Sequence, residues 1–200
     1  MALKRYVSLR RRLLSDPTLR AKYCDVLNGY IDSGFARLMS DEEVAQSSVK
    51  TNYIPHHAVW NERKSKLRVV NDAAAEYEGD SLNKNLLPGP ALSNSLIGVQ
   101  LRFRQGLIPM SADIEKMFFQ VHVKPDDRDD LRFIWSPDLS EPPRIYQFLV
   151  HIFGSTSSPC CSNYALRRTA TDNIGNFSEE AIQSVLRSFY VDDFLKSCES

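Results

Sequence analysis

Two adjacent aspartates interrupt an apolar segment near the end of the sequence. Asp192 and Asp193 follow Phe189-Tyr190-Val191 and precede Phe194-Leu195, in a segment whose composition is typical of a β-strand. Aspartate is unfavourable within a strand, and a buried, unpaired carboxylate costs free energy. The pair therefore requires either a turn or a cation beside it. When such a pair occurs alone, an exposed hairpin tip is the simpler explanation.

A third aspartate occurs in a similar setting earlier in the chain. Asp113 ends the strand-like segment 107–114 and precedes the aromatic pair Phe118-Phe119. Phosphoryl transfer with two metal ions requires hard oxygen ligands from at least two chain segments, with the ions roughly 3.5–4 Å apart. Mg²⁺ needs only one or two protein carboxylates, because it keeps positions for water and substrate phosphates. Asp113, Asp192 and Asp193 together predict a two-Mg²⁺ site at the mouth of a cleft, in which Mn²⁺ could replace Mg²⁺.

The charge of the chain is balanced overall but unevenly distributed. The 200 residues include 25 basic and 25 acidic side chains, so the formal net charge is zero. Basic residues are concentrated in 4–20 and 63–68, and acidic residues in 126–130 and at Asp192-Asp193. Separate zones allow one surface to contact nucleic-acid phosphates and another to bind a divalent cation. For the basic N-terminal segment, and for the acidic segment 126–130, a solvated surface is the simpler interpretation.

Some classes of protein are not expected from this sequence. It contains no apolar run of about 18 residues and no charged-then-apolar leader, so we expect no membrane partner, no secretion, and a cytoplasmic or nuclear location. Its four cysteines form no C-x-x-C pair, which argues against a zinc site or a disulfide framework. The adjacent His56 and His57 lack further ligands at a suitable spacing, and we interpret them as structural.

The elements that must position the aspartates follow from hydrophobic periodicity. Apolar residues at helical spacing predict helices over 2–14, 16–39, 91–104, 158–170 and 179–187. Alternating or β-branched segments predict strands over 53–60, 67–70, 107–114, 131–135, 145–150 and 188–195. Pro109 favours a sheet edge, or a strand that begins near Met110. Helices mixed with strands, without regular alternation, predict the α+β class.

Four motifs resemble those of reverse transcriptases and occur in that family's order. They are Lys66-Leu67-Arg68-Val69-Val70-Asn71-Asp72, Asp113-Ile114-Glu115-Lys116-Met117-Phe118-Phe119, Phe153-Gly154-Ser155-Thr156-Ser157-Ser158-Pro159 and Tyr190-Val191-Asp192-Asp193. The closer similarity is to the polyproteins of Bel-Pao-type LTR retrotransposons, and it extends over nearly the whole chain. Phrases that carry it include Tyr53-Ile54-Pro55-His56-His57 and Leu131-Arg132-Phe133-Ile134-Trp135.

The resemblance implies a right-hand polymerase with fingers and palm but no thumb. Residues 1–50 would form a helical lead-in, 51–110 the fingers and 111–200 a palm that is incomplete at its C-terminal end. The implied activity is DNA synthesis from deoxynucleoside triphosphates on a primed RNA or DNA template. The family's thumb and RNase H domains have no counterpart here, so we expect little or no processive synthesis from this chain alone.

The resemblance also implies which residues lie at the incoming nucleotide. Arg68 would contact the triphosphate, assisted by Lys66 or Lys64. Gly154 would allow close approach of the nucleotide to the backbone, since glycine has no Cβ. Phe153 stands where many viral relatives carry a glutamine, so the corresponding hydrogen bond to the nucleotide is absent.

Further roles are implied around the catalytic motifs. Asp113 and Asp192 would bind both ions, with Asp193 adjacent and supporting. Phe118 would pack beneath the sugar and exclude a 2′-hydroxyl, and Tyr190-Val191 would lie against the primer end. As structural alternatives, Arg68 could be a surface ion-pair residue, and one of Phe118 and Phe119 should be in the core because neighbours on a strand face opposite sides.

Two other functions remain open at the level of sequence. One is a catalytically inactive remnant of a retroelement with at most weak nucleic-acid binding. The other is a different two-metal phosphotransferase, such as a nuclease or a cyclase.

Overall fold

The computed structural model describes residues 1–46, 51–62 and 65–199, and its mixture of helices and strands confirms the α+β class. The α-helices of the described chain are α1 (Ala2–Ser15), α2 (Pro17–Asp32), α3 (Asp41–Ala45), α4 (Leu82–Asn85), α5 (Leu96–Phe103), α6 (Ser158–Asp172) and α7 (Glu179–Ser188). The strands are β1 (Ala36–Leu38), β2 (His56–Asn61), β3 (Lys66–Asn71), β4 (Ile108–Asp113), β5 (Arg132–Trp135), β6 (Arg144–Phe148), β7 (Phe189–Tyr190) and β8 (Asp193–Cys198). Two 3-10 helices cover Met117–Gln120 and Pro125–Leu131.

Contacts divide the chain into two compact units, each made of two segments. The first unit comprises Met1–Leu87 and His122–Thr156, and the second comprises Pro88–Val121 and Ser157–Ser200. The predicted three-part division at residues 50 and 110 stays a prediction. None of the helices in the described residues combines the length and the apolar character that crossing a bilayer requires.

The first unit is built around an antiparallel sheet of order β1-β6-β5. Its core is aromatic: Phe133 stacks near Phe148 with ring centroids 4.6 Å apart, and Tyr23 of α2 lies 5.5 Å from the ring of Trp135. Helix α2 begins where predicted, because the Asp16 carboxylate accepts a hydrogen bond from the Leu19 N–H at 2.9 Å. Burial of these apolar rings stabilises this unit.

The single helix predicted over 16–39 is wrong at its C-terminal end. Helix α2 stops at Asp32, and Gly34 takes the left-handed conformation at φ +71°. The Gly34 N–H donates to the Ile31 carbonyl and the Phe35 N–H donates to the Tyr30 carbonyl, as in a glycine C-cap. The next residues pair with β6 as strand β1, so the apolar residues after Gly34 follow strand periodicity.

The predicted hairpin in the first unit is confirmed as the antiparallel pair β2 and β3. Its register opposes His56 with Asn71 and Asn61 with Lys66. Leu67 and Val69 are buried whereas Lys66 and Arg68 are exposed, so the pair follows the alternation expected of a half-buried sheet. The predicted turn at 61–65 includes residues 63 and 64, which lie outside the described residues, as does the assisting role of Lys64.

The acidic segment 126–130 is only partly the solvated surface that we expected. Asp126 and Asp127 are exposed in the 3-10 helix, but Asp129 is less exposed and accepts from the buried Arg132 guanidinium at 2.8 Å. The same Asp129 oxygen accepts from the Gln147 side-chain amide at 2.8 Å. A buried guanidinium requires such a partner, which gives Asp129 a structural role.

The second unit contains an antiparallel sheet of order β4-β8-β7. β4 is an edge strand of this sheet among the described residues and includes Pro109, which is the first of the two alternatives that Pro109 predicted. The strand predicted over 188–195 is instead two strands joined by a turn at Val191-Asp192. Helix α5 begins at Leu96 rather than residue 91, because the Ser95 hydroxyl caps it by accepting from the Gly98 N–H at 3.4 Å.

The pair Phe118-Phe119 corrects another expectation. These residues belong to the 3-10 helix Met117–Gln120, so the argument from opposite faces of a strand does not apply. Phe119 is nonetheless buried and Phe118 is half-buried. Lys116, at φ +51°, turns the chain sharply between β4 and this helix.

Candidate metal centre

Strands β4 and β8 bring two of the predicted metal ligands directly opposite each other. The antiparallel register pairs Asp113 with Asp193, and the preceding pair is Ala112 with Phe194. Directly opposed residues of an antiparallel pair project from the same face of the sheet. The two carboxylates therefore share one face, although like charges in this position destabilise a sheet.

The hairpin tip adds the third carboxylate. Tyr190 pairs with Asp193, which leaves Val191 and Asp192 as the two turn residues. Val191 has φ +56°, a conformation that a β-branched residue rarely adopts and that a tight two-residue hairpin turn requires of its first central residue. The Ile114 N–H donates to the Asp192 carbonyl at 3.0 Å, which fixes the tip of the hairpin to the end of β4.

Asp113, Asp192 and Asp193 each offer one carboxylate oxygen, and these oxygens all lie within 4.8 Å of one another. Asp113 and Asp193 are exposed and Asp192 is half-buried. Within residues 1–46, 51–62 and 65–199, none of the three side chains has a hydrogen-bonding or ion-pair partner, in contrast to structural carboxylates such as Asp129. Charges 4 Å apart repel by about 1 kcal/mol even in water, so a cation would stabilise the arrangement.

The donor set fits a hard divalent cation. Carboxylate oxygens are the ligands that Mg²⁺ and Mn²⁺ prefer, and neither sulfur nor imidazole belongs to the cluster. Three oxygens, from β4, β8 and the turn before β8, leave positions for water and phosphate, as metal-dependent phosphoryl transfer requires. No other group of three potential ligands with this proximity occurs in the part of the chain that the structure describes.

Asn94 holds the start of the β7–β8 hairpin in place. Its side-chain amide donates to the carbonyls of Leu186 at 3.1 Å and Phe189 at 2.9 Å, at the junction of α7 and β7. The Asn94 side-chain oxygen accepts from Arg167 of α6 at 3.3 Å. Asn94 is not among the predicted site residues, because no signal in the sequence distinguishes it from an ordinary loop asparagine.

The central strand β8 is fixed at its far end by three polar contacts. Lys196 donates to Glu180 at 2.6 Å and to the Ser184 hydroxyl at 2.8 Å, which joins β8 to α7. The Gly106 N–H donates to the Ser197 hydroxyl at 2.8 Å. A Cβ at residue 106 would lie 2.6 Å from the Cys198 carbonyl oxygen, so the close approach requires glycine.

The other site residues predicted in the second unit lie on the elements that adjoin the cluster. Phe118 follows β4 in the 3-10 helix, and Tyr190 is half-buried on β7 beside the turn residue Val191. Phe189 and Phe194 pack together behind the hairpin with ring centroids 5.0 Å apart. The sugar contact of Phe118 and the primer contacts of Tyr190 and Val191 stay predictions.

The residues predicted to bind the nucleotide triphosphate lie in the first unit. Lys66 and Arg68 are both on the exposed face of β3, two residues apart. Phe153 is exposed, and Gly154 follows it at φ +101°. A Cβ on Gly154 would overlap the backbone carbonyl oxygen of Asn71, which supplies a structural reason for glycine here. Contacts of these four residues with a nucleotide stay predictions.

Solved reverse transcriptases have a similar fold. The foamy viral protease-reverse transcriptase dRH in complex with double-stranded DNA matches with a TM-score of 0.63 and 18% identity over 90% of this chain and 26% of that chain. A second structure, of the foamy viral protease-reverse transcriptase in complex with double-stranded DNA, matches with a TM-score of 0.60 and 18% identity, over 90% of this chain and 31% of that chain. The prototype foamy virus protease-reverse transcriptase CSH mutant matches with a TM-score of 0.62 and 16% identity, over 92% of this chain and 20% of that chain.

The chain thus spans between about a fifth and a third of the length of these viral proteins. No protein-family model and no curated protein matches the sequence. At this level of identity the similarity concerns the fold alone. The chain has a reverse-transcriptase-like fold, with three aspartates clustered at a hairpin tip.

Proposed function

We propose that this chain is the fingers and palm part of a retrotransposon reverse transcriptase, an RNA-directed DNA polymerase that uses two divalent cations. The observation that carries the proposal is the cluster of Asp113, Asp192 and Asp193 oxygens within 4.8 Å, in a chain whose fold resembles reverse transcriptases. Residues 51–110 would be the fingers and 111–200 the palm. The Bel-Pao-type motifs support an origin in an LTR retrotransposon of that group.

The aspartates would act by position and charge. Asp113 and Asp193 project from adjacent strands, and the Ile114–Asp192 hydrogen bond limits movement of the hairpin tip, so the ligand oxygens are arranged before substrate arrives. Bound Mg²⁺ or Mn²⁺ would supply electrostatic stabilisation of the attacking primer oxygen and of the pyrophosphate leaving group. No covalent intermediate with the protein is required.

Substrate contacts would come from the remaining predicted residues. Lys66 and Arg68 would neutralise the triphosphate, Phe118 would select deoxyribose, and Tyr190-Val191 would contact the primer terminus. Two of the similar viral structures are complexes with double-stranded DNA, which supports a nucleic-acid duplex as partner. A thumb and an RNase H domain, as in the resembling polyproteins, would supply the primer grip and processivity.

Primer extension with the 200-residue chain tests the proposal. The substrate is an oligo-dT primer on poly-A RNA with deoxythymidine triphosphate and Mg²⁺, and products are resolved as single-nucleotide additions. We expect Asp113→Asn and Asp192→Asn to reduce extension at least about a hundredfold. Asp25→Asn, which changes an exposed aspartate of α2, should not.

Each other result contradicts the proposal. Because processive synthesis is not expected from this chain alone, the decisive result is the addition of single nucleotides, and its absence from the unmodified chain supports an inactive remnant. Hydrolysis of the nucleic acid without nucleotide incorporation supports a different two-metal phosphotransferase. Extension that survives both aspartate substitutions would exclude the carboxylate cluster as its source.

A further inference from the structure

A concave surface lies between α1 and the base of the β2–β3 hairpin, within the first unit. Its volume is about 550 Å³, and it contains none of the residues assigned above to catalysis or nucleotide binding. Lys4, Arg5 and Arg12 line it from α1, and His57 and Asp72 line it from the hairpin. We call these five residues and the space between them the α1 pocket.

The α1 pocket has an excess of positive charge. Its carboxylate, Asp72, is bound to Arg5 with the guanidinium nitrogen 2.5 Å from the carboxylate oxygen. The side chains of Lys4, Arg12 and His57 have no hydrogen-bonding or ion-pair partner in the described part of the chain. Two cationic side chains are therefore available to an external anion, and the one nearby acid is already neutralised.

Helix α1 is held so that three of its basic residues, Lys4, Arg5 and Arg12, line this space. Tyr6, Leu9 and Leu13 are buried beneath the helix, and Arg10 donates to the Leu139 carbonyl at 2.7 Å. The helix carries five basic residues and no acidic residue between Ala2 and Ser15. A flat solvated face was the simpler interpretation from sequence, but the wall formed by His57 and Asp72 makes the surface concave.

The spacing of the free cations favours an extended anion. Lys4 and Arg12 are eight residues apart on one helix, so their Cα atoms are separated by about 12 Å along the axis. Successive phosphates of one strand can each contact one of these cations, whereas a single phosphate group would have to draw both side chains toward the same point. Lysine and arginine contacts of this kind are the usual source of sequence-independent affinity for nucleic acid.

We infer that the α1 pocket binds the phosphate backbone of a single-stranded nucleic acid. The site goes beyond the proposed catalytic function, because binding here involves none of the three clustered aspartates and requires no divalent cation. In a polymerase, such a site would hold unpaired template; in an inactive remnant, it would still bind the strand.

Fluorescence anisotropy of a labelled, mixed-sequence single-stranded oligonucleotide tests the inference with the full chain in EDTA. The double variant Lys4→Gln/Arg12→Gln removes the two free cations. The control Arg11→Gln/Lys124→Gln removes the same charge from exposed positions that do not line the pocket. Thermal unfolding of all three proteins checks that each is folded.

We expect the pocket variant to bind the oligonucleotide about tenfold more weakly than the unmodified chain at moderate salt. The slope of log K against log salt concentration should decrease in magnitude by about 1.4. The control should retain at least most of the affinity of the unmodified chain. Equal losses in the two variants, or no binding by the unmodified chain, would overturn the inference. Displacement of the oligonucleotide by inorganic phosphate at equal phosphate concentration would instead assign the pocket to free phosphate. Since EDTA removes any divalent cation, these results do not depend on the outcome of primer extension.

Discussion

Asp113 and Asp193 are direct register partners across β4 and β8, so two negative charges face each other at the end of the sheet next to the hairpin turn. Asp192 adds a third charge within 4.8 Å. An arrangement of this kind reduces the stability of the cation-free protein, because opposed like charges are unfavourable. Cation affinity and fold stability should therefore depend on the same side chains.

The first prediction concerns this dependence. Asp193→Asn should raise the free energy of unfolding in EDTA by up to about 1 kcal/mol, because it removes one member of the opposed pair. Mg²⁺ or Mn²⁺ should raise the free energy of unfolding of the unmodified chain by about 2.7 kcal/mol at a cation concentration of 100 times Kd. The increase should be smaller for the variant. Urea unfolding with and without cation measures both effects. Asp25→Asn should change neither, and a loss of stability for Asp193→Asn in EDTA would contradict the prediction.

Gly154 is predicted to be required by packing within the first unit. Gly154→Ala should lower the free energy of unfolding by more than about 2 kcal/mol, because the added Cβ would overlap the Asn71 carbonyl oxygen in addition to straining the backbone. Gly175→Ala is the matched control, since Gly175 also has positive φ but a Cβ there meets nothing within 4 Å. Equal effects of the two substitutions in urea unfolding would mean that the overlap is relieved at no cost.

Val191 should tolerate glycine better than valines elsewhere. The left-handed conformation at φ +56° costs an L-residue about 1–2 kcal/mol, which offsets the entropic cost of about 0.5–1 kcal/mol for glycine. We expect Val191→Gly to leave the stability nearly unchanged, whereas Val185→Gly in α7 should lower it by about 1 kcal/mol or more. Thermal unfolding compares the two. A loss for Val191→Gly as large as that for Val185→Gly would show that side-chain packing outweighs backbone strain.

His56 should make the protein sensitive to mild acid. Its Nε2 lies 3.0 Å from the Ile134 carbonyl, which can only accept, so Nε2 carries the proton and Nδ1 accepts from the Tyr23 hydroxyl at 2.5 Å. Burial lowers the pKa of His56 to about 4, below the ordinary value of 6.5. The unfolded chain therefore binds a proton between these values while the folded chain does not, so stability falls as pH falls from 6.5 to 4.

The expected loss between pH 7 and pH 5 is about 2 kcal/mol, measured by urea unfolding. His56→Asn should be less stable at pH 7 but should lose less on acidification. His57→Gln changes an exposed neighbour and should retain the full pH dependence. If His56→Asn keeps the unmodified slope, other groups cause the acid sensitivity.

The sequence predicts the fold best where a local pattern and a tertiary requirement agree. Alternation of buried Leu67 and Val69 with exposed Lys66 and Arg68 identifies the hairpin strand, and Pro109 correctly places β4 at an edge. The helix predicted over 16–39 is too long, because the few apolar residues after Gly34 fit the periodicity of a helix as well as that of a strand. Pairing with β6, which lies more than a hundred residues away, decides between them.

The candidate site shows the same division. Aspartates within an apolar strand segment are unusual, because burying an unpaired carboxylate costs free energy. They can therefore be recognised from the sequence. Asn94 and Gly106 have no such signal, because their importance depends on carbonyl groups of distant residues such as Phe189 and Cys198. The 3-10 helix at Phe118 was likewise hidden, since the left-handed Lys116 that begins it is not a residue type that predicts a turn.

Strand β4 carries Asp113 at one end, and all six of its residues are exposed. Within the described residues no strand pairs with its outer side, and Pro109 supplies no N–H there, so a further strand could form a continuous ladder with it only from Met110 onward. Any strand that docked beside Met110–Asp113 would restrain the carboxylate that faces Asp193. If the added strand changes the affinity of the aspartates for a cation by some factor, a bound cation must change the affinity of β4 for that strand by the same factor, because the two binding free energies are linked.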